Sequence, residues 1–318
     1  MTTDRSDVYS RVTEQIVAEL EAGVRPWVQP WIAAHAAGEV SRPLRYNAVP
    51  YRGINVVLLW IAALQQHFTS PLWMTYKQAA EMGGQVRKGA KGSPVVYADT
   101  FTRREMDDDG QQQEIAVPFL KSYTVFNAGQ IDSLPAHYYA RAEHPIHVVE
   151  RIERAEHFVT QTGADIHHGG GMAYYSSAGD YVQMPPLASF HTAEAYYATL
   201  NHELTHWTRA TSRLNREFGR RRWGDEGYAM EELVAELGAA FLCADLGLTL
   251  EIRDDHAAYI GSWLKVLKND RRAVFTAAGH AQRAADYLHS LQTKPVETAA
   301  SPIRNHFFIN QPRRTDYG

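Results

Sequence analysis

Cysteine is almost absent from this chain of 318 residues: Cys243 stands alone, so no internal disulfide framework can form. It lies in the apolar run Ala239-Ala240-Phe241-Leu242-Cys243, where a thiol packs as a small core residue. Long apolar runs are lacking too. The longest, Ile54 to Leu64, falls short of a membrane span, and Met1-Thr2-Thr3-Asp4-Arg5 leads into an amphipathic helix without the apolar core of a signal peptide. No internal repeat or low-complexity tract is present. Nor is there an overall excess of positive charge, since the formal net charge is −4. These absences predict a soluble cytoplasmic protein with no membrane partner, in a reducing compartment where metal sites are favoured over disulfides. With 45% hydrophobic residues, the chain is long enough for two ordinary domains.

What the sequence does have is His202-Glu203-Leu204-Thr205-His206. Two histidines four apart on a helix project from one face, which lets both imidazoles bind one tetrahedral Zn²⁺. Glu203 cannot easily reach the same ion but can reach a water held by it, which makes it the candidate general base. Residues 190–208 read as one helix, with Thr192 as N-cap and Leu200, Leu204 and Trp207 as its apolar stripe. A second helical pattern carries Glu231, Glu232 and Glu236. An acidic pair is ordinarily a solvated face. Following such a motif, Glu232 can complete the metal site while Glu236 accepts the spare N–H of a ligand histidine.

This half resembles the gluzincin type of zincin metallopeptidase, through His202-Glu203-Leu204-Thr205-His206 and Glu232-Leu233-Val234-Ala235-Glu236. The resemblance implies peptide hydrolysis with Zn²⁺ as cofactor; another divalent ion such as Mn²⁺ stays open, and so does Glu231 as third ligand. A strand and hairpin (164–168, 172–176, 180–184) precede the motif, where an edge strand can hold an extended peptide. Adjacent His167 and His168 point to opposite faces of a strand, so they read as incidental to a turn. Tyr228 and Tyr259 are candidate oxyanion donors.

The charge balance changes between Arg42 and Tyr97. Seven basic residues (Arg42, Arg45, Arg52, Lys77, Arg87, Lys88, Lys91) face one acid, Glu81. Tyr46, Tyr51, Trp60, Trp73, Tyr76 and Tyr97 are interleaved with them, preceded by Trp27 and Trp31 in a proline-interrupted segment. Basic residues that track phosphates and aromatics that stack bases are what a single-stranded nucleic acid requires; the plainer reading is a solvated face over a core, and for the two early tryptophans core packing is the better reading. Helices are expected over 6–21 and 53–66. Thr75 caps a short one, 86–92 is a basic glycine-bearing loop, and strands run over 93–104 and 114–126 around the turn 107–110.

The strings Asn47-x-x-x-Tyr51-Arg52-Gly53-x-Asn55, Trp73-Met74-Thr75-Tyr76-x-Gln78, Lys88-Gly89-x-Lys91-Gly92 and Tyr123-Thr124-Val125-Phe126-Asn127-x-x-Gln130-Ile131 resemble the N-terminal domain of ArdC-type antirestriction proteins. TraC-type plasmid primases share a similar domain. The resemblance spans nearly the whole chain and implies single-stranded DNA binding, with protection of conjugating plasmid DNA from host restriction. The DNA-binding set is then Trp27, Trp31, Arg42, Arg45, Tyr46, Tyr51, Arg52, Asn55, Trp73, Tyr76, Lys77, Arg87, Lys88, Lys91 and Asn127. A restriction-system or other DNA-bound protein would be the peptidase substrate. Two alternatives remain: a DNA-coating protein with a structural metal site, and a protease acting on DNA–protein crosslinks.

The expected architecture is α+β in two domains, a mixed helix and antiparallel-sheet DNA-binding domain over 1–135 and a zincin-like domain over 148–295. Residues 136–147 form the linker and 296–318 a tail. The basic loop carrying Arg213, Arg216, Arg220, Arg221 and Arg222 would touch phosphates or an acidic substrate, or be solvated. Two helices, 255–268 and 271–291, complete the core.

Overall fold

The structure is a computed structural model and describes residues 8–27, 42–106, 112–139, 148–219, 225–248 and 257–293. Trp31, Arg220 to Arg222, the turn at 107–110, residues 140–147 of the expected linker and the tail at 296–318 lie outside the described residues.

The N-terminal half begins with α1 (Val8–Glu21), which buries Val12, Ile16 and Leu20, a four-residue repeat that lines one helix face. β1 (Leu44–Arg45) leads to α2 (Ile54–Gln66), whose first eight residues are all buried except Asn55. β2 (Leu72–Met74) precedes α3 (Tyr76–Glu81), capped as expected: the Thr75 hydroxyl accepts from Gln78 N–H while the Gln78 side chain accepts from Thr75 N–H. After β3 (Gln85–Val86), the long hairpin β4 (Ser93–Met106) and β5 (Gln112–Asn127) runs in register from Ser93 opposite Val125 to Met106 opposite Gln112. The sheet order is β1-β2-β5-β4; β3 pairs separately with β6 (Ile131–Asp132). The expected linker starts as a turn over Ala136–Tyr138, tied back because the Tyr139 hydroxyl accepts from Leu134 N–H and donates to Ile131 C=O.

The second half opens with α4 (Val148–Thr162) and a small mixed sheet of β7 (Asp165–His168), β8 (Tyr174–Ser176) and β9 (Tyr181–Met184), ordered β7-β9-β8. Four helices follow: α5 (Ala193–Trp207), α6 (Glu226–Leu246), α7 (Ala257–Asn269) and α8 (Ala273–Ser290). Thr192 caps α5 by accepting from Ala195 N–H, and Asp225 caps α6 by accepting from Tyr228 N–H. Gly247 ends α6 in the left-handed conformation, φ 70°, that a residue with a side chain seldom adopts. The α+β architecture therefore stands as expected.

The two halves share a hydrophobic core. Trp27 meets Trp263 edge-on at 5.8 Å, and Trp60 of α2 lies 6.0 Å from Phe241 of α6. Arg42 grips Asp245 with two bonds (2.8 and 2.9 Å) and donates to Gln282 at 2.7 Å, while Gln282 also accepts from Gly53 N–H. No helix among the described residues is long and apolar enough to cross a membrane.

Candidate metal centre and nucleic-acid surface

The sequence places His202, Glu203 and His206 on α5 and Glu231, Glu232 and Glu236 on α6. The fold then packs the two helices closely enough for those side chains to meet. One ligand atom from each of His202, His206 and Glu232 lies within 4.8 Å of the others. The Nε2 atoms of His202 and His206 face Glu232 at 3.5 and 3.6 Å, and the imidazole rings stand nearly perpendicular, 4.8 Å apart. Two neutral imidazoles and one carboxylate suit a divalent cation that keeps an open position. Chemistry and convergence both fit.

Each imidazole is held from behind. Glu236 lies 3.4 Å from His202 Nδ1, and Glu231 lies 3.1 Å from His206 Nδ1. Glu231 is thus no alternative ligand facing the Nε2 atoms; its carboxylate is taken up on the other side of the ring. Such contacts fix which nitrogen carries the proton and leave Nε2 free to bind. Among these side chains alone, burial pushes the imidazole pKa down. The carboxylates outweigh it, lifting His202 to about 10 and His206 to about 9. For Glu231, burial pushes upward, yet Arg216 and His206 hold it at about 2. Burial likewise opposes ionisation of Glu232, and the two imidazoles drive it far below the usual carboxylate range. Glu203 is buried beside His202.

Tyr228 lies near this centre. Its hydroxyl pairs with that of Tyr259 at 3.0 Å, and burial, Tyr259 and Glu232 push its pKa well above normal, which keeps it a protonated donor. His168 bonds Tyr196 at 2.8 Å and His167 bonds Asp165 at 3.0 Å, so neither histidine joins the metal cluster.

Several residues of the expected DNA-binding set turn inward, a correction with one physical cause: their side chains complete the fold. Trp27, Tyr51 and Trp73 lie in the core. Arg42 is consumed by Asp245 and Gln282. The Asn55 amide pairs with both Val96 backbone groups at 2.8 Å, tying α2 to β4. Buried Asn127 accepts from Gly129 N–H and donates to Ser70 C=O, while Gln130 accepts from Asn127 N–H. Motif residues of this kind are staples.

The exposed remainder is Arg45, Tyr46, Arg52, Tyr76, Lys77, Arg87, Lys88 and Lys91. Within it Arg52 pairs with Asp286, Arg87 with Asp132 at 2.7 Å, and Lys77 with Glu81 at 3.8 Å. The guanidinium of Arg45 lies over the Tyr51 ring at 5.4 Å. Tyr97 and Tyr123 are exposed on one face of the β4–β5 ribbon, since Tyr123 opposes Val95 and Tyr97 follows Val95 by two. Tyr123 lies outside the expected set; the alternation of β5 is the signal for it.

Arg213 and Arg216, the described arginines of the basic loop after α5, also depart from expectation. The Arg213 side chain lies against Trp207 at 3.9 Å and pairs with Asp180, and Arg216 is fully enclosed against Glu231. The signal for a buried arginine was the helix itself: Glu231, Glu232 and Glu236 fall within the mostly apolar run 229–244 of α6, and each must find a positive or N–H partner.

Comparison with known proteins agrees with both halves. Residues 6–126 match the N-terminal domain of anti-restriction factor ArdC, and residues 153–280 match a zincin-like metallopeptidase family, MPTase-PolyVal. The uncharacterised protein y4eC of Sinorhizobium fredii is 43% identical over 92% of this chain and 96% of its own length. A DNA primase TraC of Escherichia coli is 38% identical over 78% of this chain, which spans only 24% of that longer protein. The crystal structure of antirestriction protein ArdC from plasmid R388 in its metal-free form superposes with a TM-score of 0.76 at 48% identity, covering 90% of this chain and 97% of that one. Its Mn(II)-bound form gives 0.74 at 46% identity, covering 90% and 98%.

Proposed function

This chain belongs to the ArdC family of antirestriction proteins, and from that membership we propose that it binds single-stranded DNA with its N-terminal half and hydrolyses a DNA-bound protein at the His202–His206–Glu232 centre. A host restriction component met by entering plasmid DNA is the substrate this reading assigns.

The observation that carries the peptidase reading is the convergence of three ligand atoms within 4.8 Å beside a buried glutamate. When bound, a divalent cation, Zn²⁺ by donor preference with Mn²⁺ as the alternative, supplies Lewis acidity that acidifies water and polarises an amide carbonyl. Glu203 takes a proton from the attacking water as its oxygen adds to the carbonyl carbon. The same carboxyl then delivers that proton to the amine nitrogen as the C–N bond breaks. Glu231 and Glu236 hold the two imidazoles in place throughout. On the DNA side, Arg45, Lys88 and Lys91 offer phosphate contacts, and Tyr46, Tyr76, Tyr97 and Tyr123 offer faces for bases.

The test is the intact chain, loaded with Zn²⁺ or Mn²⁺, acting on a protein bound to single-stranded DNA. Glu203→Gln is expected to retain one equivalent of metal while cleavage falls by about 100-fold or more. Undiminished cleavage by that variant overturns the peptidase mechanism. Full protection of plasmid transfer by the same variant would assign antirestriction to coating of the strand instead.

A further inference from the structure

Glu231 and Glu232 are neighbours on α6, and either could in principle reach the two histidines of α5. We infer that Arg216 decides between them: it is a positioning residue that sequesters Glu231, leaves Glu232 to face the cation and locks the His206 ring. The inference rests on the metal-centre reading above.

The geometry is specific. Arg216 Nε donates to Glu231 Oε2 at 2.8 Å and its NH2 to Oε1 at 2.7 Å, a two-pronged grip on both oxygens. Oε1 also meets His206 Nδ1 at 3.1 Å, so neither oxygen of Glu231 is left to turn towards the Nε2 atoms. Two further Arg216 bonds reach the end of α5, NH1 donating to the hydroxyl of its C-cap Thr208 at 3.0 Å and NH2 to Thr205 C=O at 2.8 Å. One side chain thereby ties the last turn of α5, which carries His206, to the helix that carries Glu232.

The local backbone is built to deliver it. After α5 the chain turns back on itself, with Arg216 N–H donating to Arg209 C=O at 3.0 Å and Asn215 N–H to Ala210 C=O at 3.0 Å. Asn215 takes the left-handed conformation, φ 46°, which asparagine tolerates better than most residues. That turn sends the Arg216 side chain inward, where it has no solvent exposure. A planar fork suits this role and a lysine does not, because only the guanidinium binds both carboxylate oxygens at once.

A buried arginine whose partner is removed leaves an unpaired charge, so the main variant removes both: Arg216→Met with Glu231→Gln in the full chain. Zn²⁺ affinity is measured by competition with a chromogenic chelator, and the ligand field by the visible spectrum after Co²⁺ substitution. The expected result is a folded protein whose Zn²⁺ dissociation constant rises by about 10- to 100-fold, with an altered Co²⁺ spectrum. Arg216→Lys, which keeps the charge and loses the fork, is expected between wild type and the double variant, and it reads the role should the double variant fail to fold. A merely structural arginine would lower the melting temperature while the folded protein kept the wild-type Zn²⁺ constant and Co²⁺ spectrum; that outcome overturns the proposal. Failure of the wild-type chain to bind Zn²⁺ or Co²⁺ would instead overturn the metal-centre reading, and this inference with it.

Discussion

Gly238 of α6 rests directly on Thr205 of α5: a Cβ at position 238 would come within 2.5 Å of the threonine Cγ2 and 2.6 Å of its Oγ1. Thr205 cannot move aside freely, because it is buried and its hydroxyl donates to Asn201 C=O at 2.8 Å. The absence of a side chain at 238 lets the two ligand-bearing helices approach. Gly238→Ala should gain about 1 kcal/mol of helix propensity and lose about 1–3 kcal/mol to overpacking. The net expectation is a lower melting temperature and weaker metal binding, with Thr205→Ala restoring both in the double variant. Denaturant melts and metal titration check this.

His280 reports on the same region from α8. Burial pushes its pKa down, Arg283 and Arg216 push it further, and it reaches about 4, with Phe218 edge-on at 4.9 Å. Because the folded value lies below the unfolded one, the stabilisation is complete above pH 6.5 and is lost as pH falls through 4. Unfolding free energy followed over that window should drop less steeply for His280→Gln than for wild type. Identical slopes would refute a neutral, shielded His280.

Arg42 separates fold from DNA contact. Arg42→Met leaves Asp245 without its two-pronged partner and should cost about 3 kcal/mol, at the lower end for a buried pair because Asp245 keeps some solvent access. The salt dependence of DNA binding by the folded variant should be unchanged. A reduced slope would return Arg42 to the DNA surface.

Lys88 and Lys91 are expected to do the opposite. Both are exposed beside the turn between β3 and β4. Each Lys→Gln change should leave the melting temperature alone and flatten the plot of log affinity against log salt for single strands by about 0.7. Fluorescence anisotropy across a salt series measures it.

Sequence pattern made the local structure legible where one helix or hairpin decides it. The helix read over 190–208 is Ala193–Trp207 with Thr192 as cap, and the ribbon read as 93–104 and 114–126 is Ser93–Met106 and Gln112–Asn127. The convergence of His202, His206 and Glu232 was legible because it follows helix spacing on two elements. What pattern could not supply was the destination of polar side chains whose partners lie far along the chain. Arg42 finds Asp245, Asn55 finds Val96 and Asn127 finds Ser70, and in each case residue type alone suits a DNA contact equally well. The same limit hid Arg216: a basic loop looks solvated until the turn at Asn215 folds it under α5.

The contact of Trp27 with Trp263 and of Trp60 with Phe241 bears on how such a protein can be reshaped by recombination. A crossover near residue 135 would cut through no helix or strand, yet it would separate surfaces that are fitted to each other. The donated half would arrive with an apolar face made for a partner it had left behind. Exchange between relatives should therefore succeed when both halves travel together, or when both sides of that interface are already matched.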